Sequence, residues 1–219
     1  MSEFLLLVSE DCGILMIINI VRGDKMLDAV INAKDIEYNG RLGKFTYNTK
    51  DFEIRYRYTE TGVFDVLVYH GEETDGRNIK IPDGINDISY MFENSPIVIP
   101  PQIPDSVEFM DYTFKDCASL IAGAGLSKNL KSCGFCYKNC RSLQCGSNMP
   151  DTVVKAPYMY DGCTVLSNAG HISTGLVYAS GMFRNCKNLR QMPEIPDTIE
   201  YKDYMFKGCN ALNSGDRLY

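Results

Sequence analysis

The sequence predicts a mostly β fold of α+β type: a solenoid of 22–23-residue coils preceded by a small β-rich N-terminal cap or domain. Three observations carry this. Cysteines 117, 140, 163, 186 and 209 stand 23 residues apart at every step. A corner of the form Ile-Pro-Asp-x-[Ile/Val] recurs at 81–85, 103–107 and 195–199, with Met149 opening the copy at 149–153. Residues 1–79 show neither the period nor the corner. The boundary is therefore placed at 79/80, giving units 1–79 and 80–219.

In the first unit the apolar runs Phe4–Val8 and Ile14–Val21 read as strands. Glu3, Glu10 and Asp11 break them up, and the uncharged run Cys12–Val21 is half of the ~20 residues that a spanning helix needs, so neither a signal peptide nor a membrane span is expected. "GDKMLDAVINAKD" (23–35) allows a short helix. Alternating Phe52, Ile54, Tyr56 and Tyr58, followed by "ETG" at 60–62 and "GVFDVLVYHG", predicts an antiparallel hairpin. A solenoid needs its first coil sealed, because an open apolar end recruits other chains, and this β-rich segment is expected to seal it.

The second unit is organised by columns. Three residues before each cysteine stands an aromatic (Phe114, Tyr137, Tyr160, Phe183, Phe206), and three after it a leucine (Leu120, Leu143, Leu166, Leu189, Leu212). Further columns are Leu126/Met149/Ile172/Ile195 and Leu130/Val153/Leu176/Ile199. One residue shorter, the pattern extends back to Tyr90, Phe92 and Ser95. A unit this short cannot bury its apolar side alone, whereas stacked copies share a core, with equivalent residues roughly 4.8 Å apart. Proline fixes φ and aspartate bonds the following backbone, so each Pro-Asp is read as a tight corner.

The motif [YFG]-[MTC]-[FY]-x-[NDG]-C-x-x-L with its Ile-Pro-Asp corner resembles the BspA-type leucine-rich repeats over residues 80–212, about five and a half coils. The resemblance implies a leucine-rich-repeat-like, curved right-handed solenoid used in adhesion and protein recognition. "LIAGAGLSKNL" (120–130) and "LSNAGHISTGL" (166–176) lack the Pro-Asp corner. Looser coils, or the binding surface, are expected there.

Chemistry is sparse. The chain has 219 residues, a net charge of −6, nine cysteines and only two histidines, His70 and His171. No Ser/His/Asp or Cys/His set can be assembled, so no enzyme and no cofactor are expected. Cys133, Cys136, Cys140 and Cys145 could together hold zinc. Cys140 belongs to the repeat column, however, and Cys133 and Cys136 stand where other coils carry Ala156 and Met159, so core filling is the preferred reading. The acidic run "GEETD" (71–75) lacks the periodicity of a calcium loop and reads as a solvated linker.

Lys115, Lys138, Arg184 and Lys207 occupy one column, interrupted by Asp161, with Arg141 and Lys187 nearby. Such a stripe suits an acidic protein or, less directly, a nucleic-acid-bound protein complex. Tyr178 and Tyr201, in the variable place of Lys155, suit recognition, whereas Tyr158 and Tyr204 are expected in the core. The function read from all this is a non-catalytic protein–protein interaction module: an intracellular binder or inhibitor, phage-encoded and acting in the host cytoplasm. A structural or adhesive protein of a virion or cell surface, hence extracellular, is the alternative. No membrane partner is expected. The short polar tail after Leu212 leaves that end as a homodimer contact.

Overall fold

The structure, a computed structural model, describes residues 6–9, 14–17, 35–48, 51–59 and 62–212. Three antiparallel hairpins come first: β1 (Leu6–Ser9) with β2 (Ile14–Ile17), β3 (Asp35–Gly40) with β4 (Gly43–Asn48), and β5 (Phe52–Thr59) with β6 (Gly62–Tyr69). The hairpin expected over 51–71 is β5–β6, in a register pairing Phe52 with Tyr69 and Thr59 with Gly62. The helix expected over 23–35 falls outside the described residues, except that Asp35 opens β3. Glu60, Thr61 and the tail 213–219 also fall outside them, and with the tail the expected dimer contact.

After a 3-10 turn at Gly76–Asn78 the chain winds into coils joined by single parallel bridges rather than long strands. One line of bridges runs Asp87, Phe109, Ser132, Lys155, Tyr178, Tyr201, and a second runs Ala122, Cys145, Asn168. Between the bridges, alternate amides reach forward one coil: Tyr112 to Gly134, Phe114 to Cys136, Asp116 to Lys138, all at 2.8–2.9 Å. Backbone groups inside a stack this thin have no water to turn to, so coil-to-coil bonding satisfies them.

Two left-handed residues per coil shape the motif. The first lies in the column Tyr90, Tyr112, Phe135, Tyr158, Gly181, Tyr204, and the second, four residues on, in Asn94, Asp116, Asn139, Gly162, Asn185, Gly208. All the non-glycine members have φ of 53–65°. Asn, Asp and Gly are the residues that tolerate this region, which explains the [NDG] place before each cysteine.

Inside, Phe92, Phe114, Tyr137, Tyr160, Phe183 and Phe206 stack with centroids 5.4–5.5 Å apart and planes within 11°. The two tyrosines are buried, and their hydroxyls are used. The Ala124 amide donates to Tyr137 Oη and the Ser147 amide to Tyr160 Oη, both at 2.9 Å, and Ser147 Oγ lies 2.8 Å from Tyr137 Oη. Beside the rings each thiol donates to the carbonyl of the aromatic one coil back: Cys117 to Phe92, Cys140 to Phe114, Cys163 to Tyr137, Cys186 to Tyr160, Cys209 to Phe183, at 2.9–3.1 Å.

The corners lacking Pro-Asp are not looser. Leu130 N reaches Ser127 O at 3.1 Å and Leu176 N reaches Ser173 O at 3.2 Å, the same turn that Val107 makes with Pro104 and Val153 with Pro150. Serine stands in for proline because its Oγ accepts from the amide two residues on and donates to the coil before: Ser127 to Asp105 O, Ser173 to Val153 O.

A continuous apolar core runs from Leu42, Phe45 and Ile54 in the hairpins to Leu212. At the junction, Phe52 and Tyr69 meet the Phe92 ring at 6.4 and 5.3 Å, Tyr69 N donates to Met91 O, and Gly43 bridges Ile85.

Candidate binding face

The left-handed turn that opens each motif points its aromatic away from the core. Tyr90, Tyr112, Phe135 and Tyr158 therefore form a second stack, parallel to the buried one, with centroids at 4.6, 4.6 and 5.1 Å. Phe64 of β6 extends it at 6.3 Å from Tyr90. Gly181 interrupts it: a Cβ there would stand 2.2 Å from Tyr158 Cε1, so the Tyr158 ring leans into the place of the missing side chain. Beyond the gap Tyr204 is 59% exposed, the highest value among the described large apolar residues. The expectation that Tyr158 and Tyr204 lie in the core is thus corrected: Tyr158 is half-buried and Tyr204 is on the surface. The signal was in the sequence, because a column that accepts both tyrosine and glycine marks a left-handed position.

Tyr178 and Tyr201 lie alongside on the first bridge line, 38% and 49% exposed and stacked on each other at 4.6 Å, with Lys155 Nζ 5.4 Å from the Tyr178 ring. On the other flank runs the charged column, and its members are largely paired within the chain. Lys115 Nζ lies 2.7 Å from Glu93, the column's first member. Arg184 holds buried Asp161 through two bonds at 2.8 and 3.0 Å, and Lys138 lies 3.5 Å from the same carboxylate. Their heads also lean on the ribbon: Lys138 over Phe135 at 5.5 Å, Arg184 over Tyr158 at 5.2 Å, Lys207 over Tyr204 at 5.0 Å. The column is mixed in charge rather than uniformly basic, with Glu93 and Asp161 each followed by two cations, since stacked like charges repel and intervening carboxylates relieve that.

Six of the sequence-named residues, Lys115, Lys138, Tyr178, Arg184, Tyr201 and Lys207, thereby flank one aromatic ribbon. Arg141 lines a different hollow, with Gln144, Val165 and Asn188, and Lys187 is exposed past the buried Cys186.

The four clustered cysteines are not gathered. Cys133 Sγ meets Met159 Sδ at 3.6 Å, Cys140 bonds Phe114 O, Cys136 is buried and Cys145 is exposed on the second bridge line. Among the described residues no three His, Cys, Asp or Glu side chains are placed to hold a metal. Burial raises the thiol of Cys117 to about 12 and those of Cys136, Cys140, Cys163 and Cys186 well above the ordinary value. In the acidic run, Glu73 accepts from the Asp75 amide and Asp75 pairs with Arg77. His171 Nε2 stands 3.4 Å from Asp151. Among the described residues no helix is long and apolar enough to cross a membrane.

Among the described residues, parallel bridges, the buried leucine column from Leu120 to Leu212 and almost no helix define a leucine-rich-repeat solenoid with a ribboned outer face. Residues 72–166 match the family model described as BspA type leucine rich repeat region, in six copies, and this stretch is a BspA-type leucine-rich repeat region. Among solved structures the chain is similar to the T. pallidum leucine rich repeat protein, with a TM-score of 0.52 at 18% identity over 77% of this chain and 91% of that one. A leucine-rich repeat protein from Bacteroides ovatus follows, with a TM-score of 0.44 at 15% identity over 76% of this chain and 52% of the other. No curated protein matches the sequence.

Proposed function

We propose that the chain is a non-catalytic protein–protein interaction module that binds through the aromatic ribbon and its flanks. The observation that carries this is the exposed set Tyr178, Tyr201 and Tyr204, two of them already stacked in place. Rigid tyrosines give contact area at little cost in entropy, and ring stacks along a repeat scaffold are ordered before any partner arrives. The repeat family favours the same class of role. Lys115, Lys138, Arg184 and Lys207 frame the ribbon, while Arg141 and Lys187 serve a second contact around the corner.

In this reading the N-terminal hairpins are the cap. The bond from Tyr69 N to Met91 O and the rings of Phe52 and Tyr69 on Phe92 support it, because they occupy the end of the buried stack. An intracellular inhibitor, phage-encoded, is the narrower role we favour, and an adhesive or structural protein of a virion or cell surface would use the same face.

The test is affinity capture of the tagged protein from native lysate beside a Tyr201→Ala/Tyr204→Ala variant of equal thermal stability. A stoichiometric protein held by the parent and lost by the variant supports the reading. Retention unchanged in the variant moves the contact off the ribbon, and recovery of the bait alone favours the adhesive or structural role.

A further inference from the structure

Where the ribbon meets the hairpins, Arg41, Phe64, Tyr90, Asp111, Phe135 and Lys155 are among the residues lining an open groove of about 340 Å³. Asp111 is the one carboxylate among these lining residues, and two further buried carboxylates lie behind the hairpin end of the groove. Asp65, on β6, is buried with Oδ2 unpaired, and Asp87, also buried, is met by Arg41 at 3.4 Å. Asp111 is half-buried. Its Oδ1 accepts from both Ser132 Oγ at 2.7 Å and the Gly134 amide at 2.6 Å, so the side chain is fixed, while Oδ2 has no hydrogen bond and Asp111 no ion pair among the described residues. Lys155 closes the far end but leans toward Tyr178.

The chain itself shows what such a place accepts. Three arginines repeat one arrangement, a guanidinium near a ribbon aromatic with its charge on a carboxylate. Arg41 lies over Phe64 at 4.7 Å and on Asp87, Arg57 over Tyr90 at 3.7 Å and on Glu93, and Arg184 over Tyr158 and on Asp161. Asp111 is a ribbon carboxylate to which the chain brings no guanidinium, and on which the Lys155 charge acts from across the groove without forming an ion pair. Its neighbours are ring edges of an already filled stack, which offer an apolar wall for an alkyl stem and exclude water from the carboxylate. Burial accordingly raises its pKa above the ordinary carboxylate value, against the opposing pull of the Ser132 and Gly134 bonds and of the Lys155 charge. A planar guanidinium is the cation best suited to a desolvated carboxylate, because it binds with paired donors and is weakly hydrated.

We propose that this groove receives an arginine side chain from a basic segment of the partner protein, paired with Asp111 Oδ2 and laid along the edges of Tyr90, Tyr112 and Phe135. This rests on the interaction-module reading and reverses the sign of the partner expected from the sequence, since the cations of the stripe are largely paired internally whereas this carboxylate is not.

The test titrates the full chain with a capped tri-arginine peptide while amide shifts are followed by NMR. Saturable shifts at Ser132 and Gly134 are expected, diminishing with added salt and weakened about tenfold or more in Asp111→Asn, which keeps the Oδ1 acceptor. Asp197→Asn, removing an exposed charge elsewhere, should leave the affinity unchanged. Shifts that miss Gly134, equal affinity in Asp111→Asn, or saturable binding of a tri-glutamate peptide in the same place would each overturn the proposal, and the first and last need no variant that folds. Capture that still depends on Tyr201 and Tyr204 while the peptide fails would sink the groove alone.

Discussion

Cys140 Sγ donates to the carbonyl of Phe114 across 3.0 Å, and that oxygen also accepts the amide of Cys117 at 3.1 Å. One buried carbonyl thus closes a turn within its own coil and ties down the thiol of the next. The same pair of bonds repeats up the stack, which is why a small donor recurs every 23 residues.

Cys163 sits mid-stack on Tyr137 O. Cys163→Ala should lower stability by about 1–2 kcal/mol through the lost contact and a small cavity. Cys163→Asp, which buries an unpaired charge, should cost about 3 kcal/mol or more. Thermal melts of the pair check this, and an Asp variant as stable as the parent would contradict the register.

Thiol reactivity follows from the same burial. At pH 8 the exposed Cys145 should alkylate readily, while Cys117, held near 12, and the buried Cys140, Cys163 and Cys186 should stay protonated and unlabelled until the chain unfolds. Mass spectrometry after a timed iodoacetamide pulse reads out each site.

Tyr137→Phe and Tyr160→Phe each strand a buried amide, Ala124 or Ser147, and should cost about 1–3 kcal/mol. In Phe183→Tyr the equivalent amide, Gly170 N, already donates to Asn168 Oδ1, so the added hydroxyl would lack that partner and should also destabilise. Urea unfolding of the three variants separates these effects from ring packing, which all of them keep.

Asn139 is left-handed at φ 62° and donates from Nδ2 to Asp116 Oδ1 at 2.8 Å. Asn139→Val should cost about 2 kcal/mol or more, and Asn139→Gly distinctly less, because only the first adds backbone strain to the lost bond. Comparison of denaturation midpoints tests it.

Asp65 is raised above its ordinary 3.8, chiefly by burial, with Asp87 adding to the shift. A carboxyl raised in the folded state binds protons there more readily than in the unfolded chain. Its contribution is therefore fully stabilising below about 3.8 and is lost as pH rises through the raised value. Asp65→Asn should be more stable than the parent at pH 7, with the difference shrinking on acidification. Stability curves of both proteins from pH 4 to 7 measure it, and parallel curves would refute the assignment.

Much of this architecture is written in the chain. The 23-residue interval, the aromatic and leucine columns and the corners specify coils that must stack, because no single coil can bury its own apolar side. A period assigns residues to columns but does not say which way a column points. Tyr160 and Tyr158 are both tyrosines of one motif, two residues apart, yet Tyr160 is buried on the Ser147 amide and Tyr158 lies on the outer ribbon. The left-handed φ at Tyr158 makes the difference, and it depends on backbone bonds to the next coil that exist only once the coils have stacked. Charge was likewise legible as composition and not as pairing. Lys138 and Arg184 stand two coils apart and share Asp161, a neutralisation that the stacking distance decides.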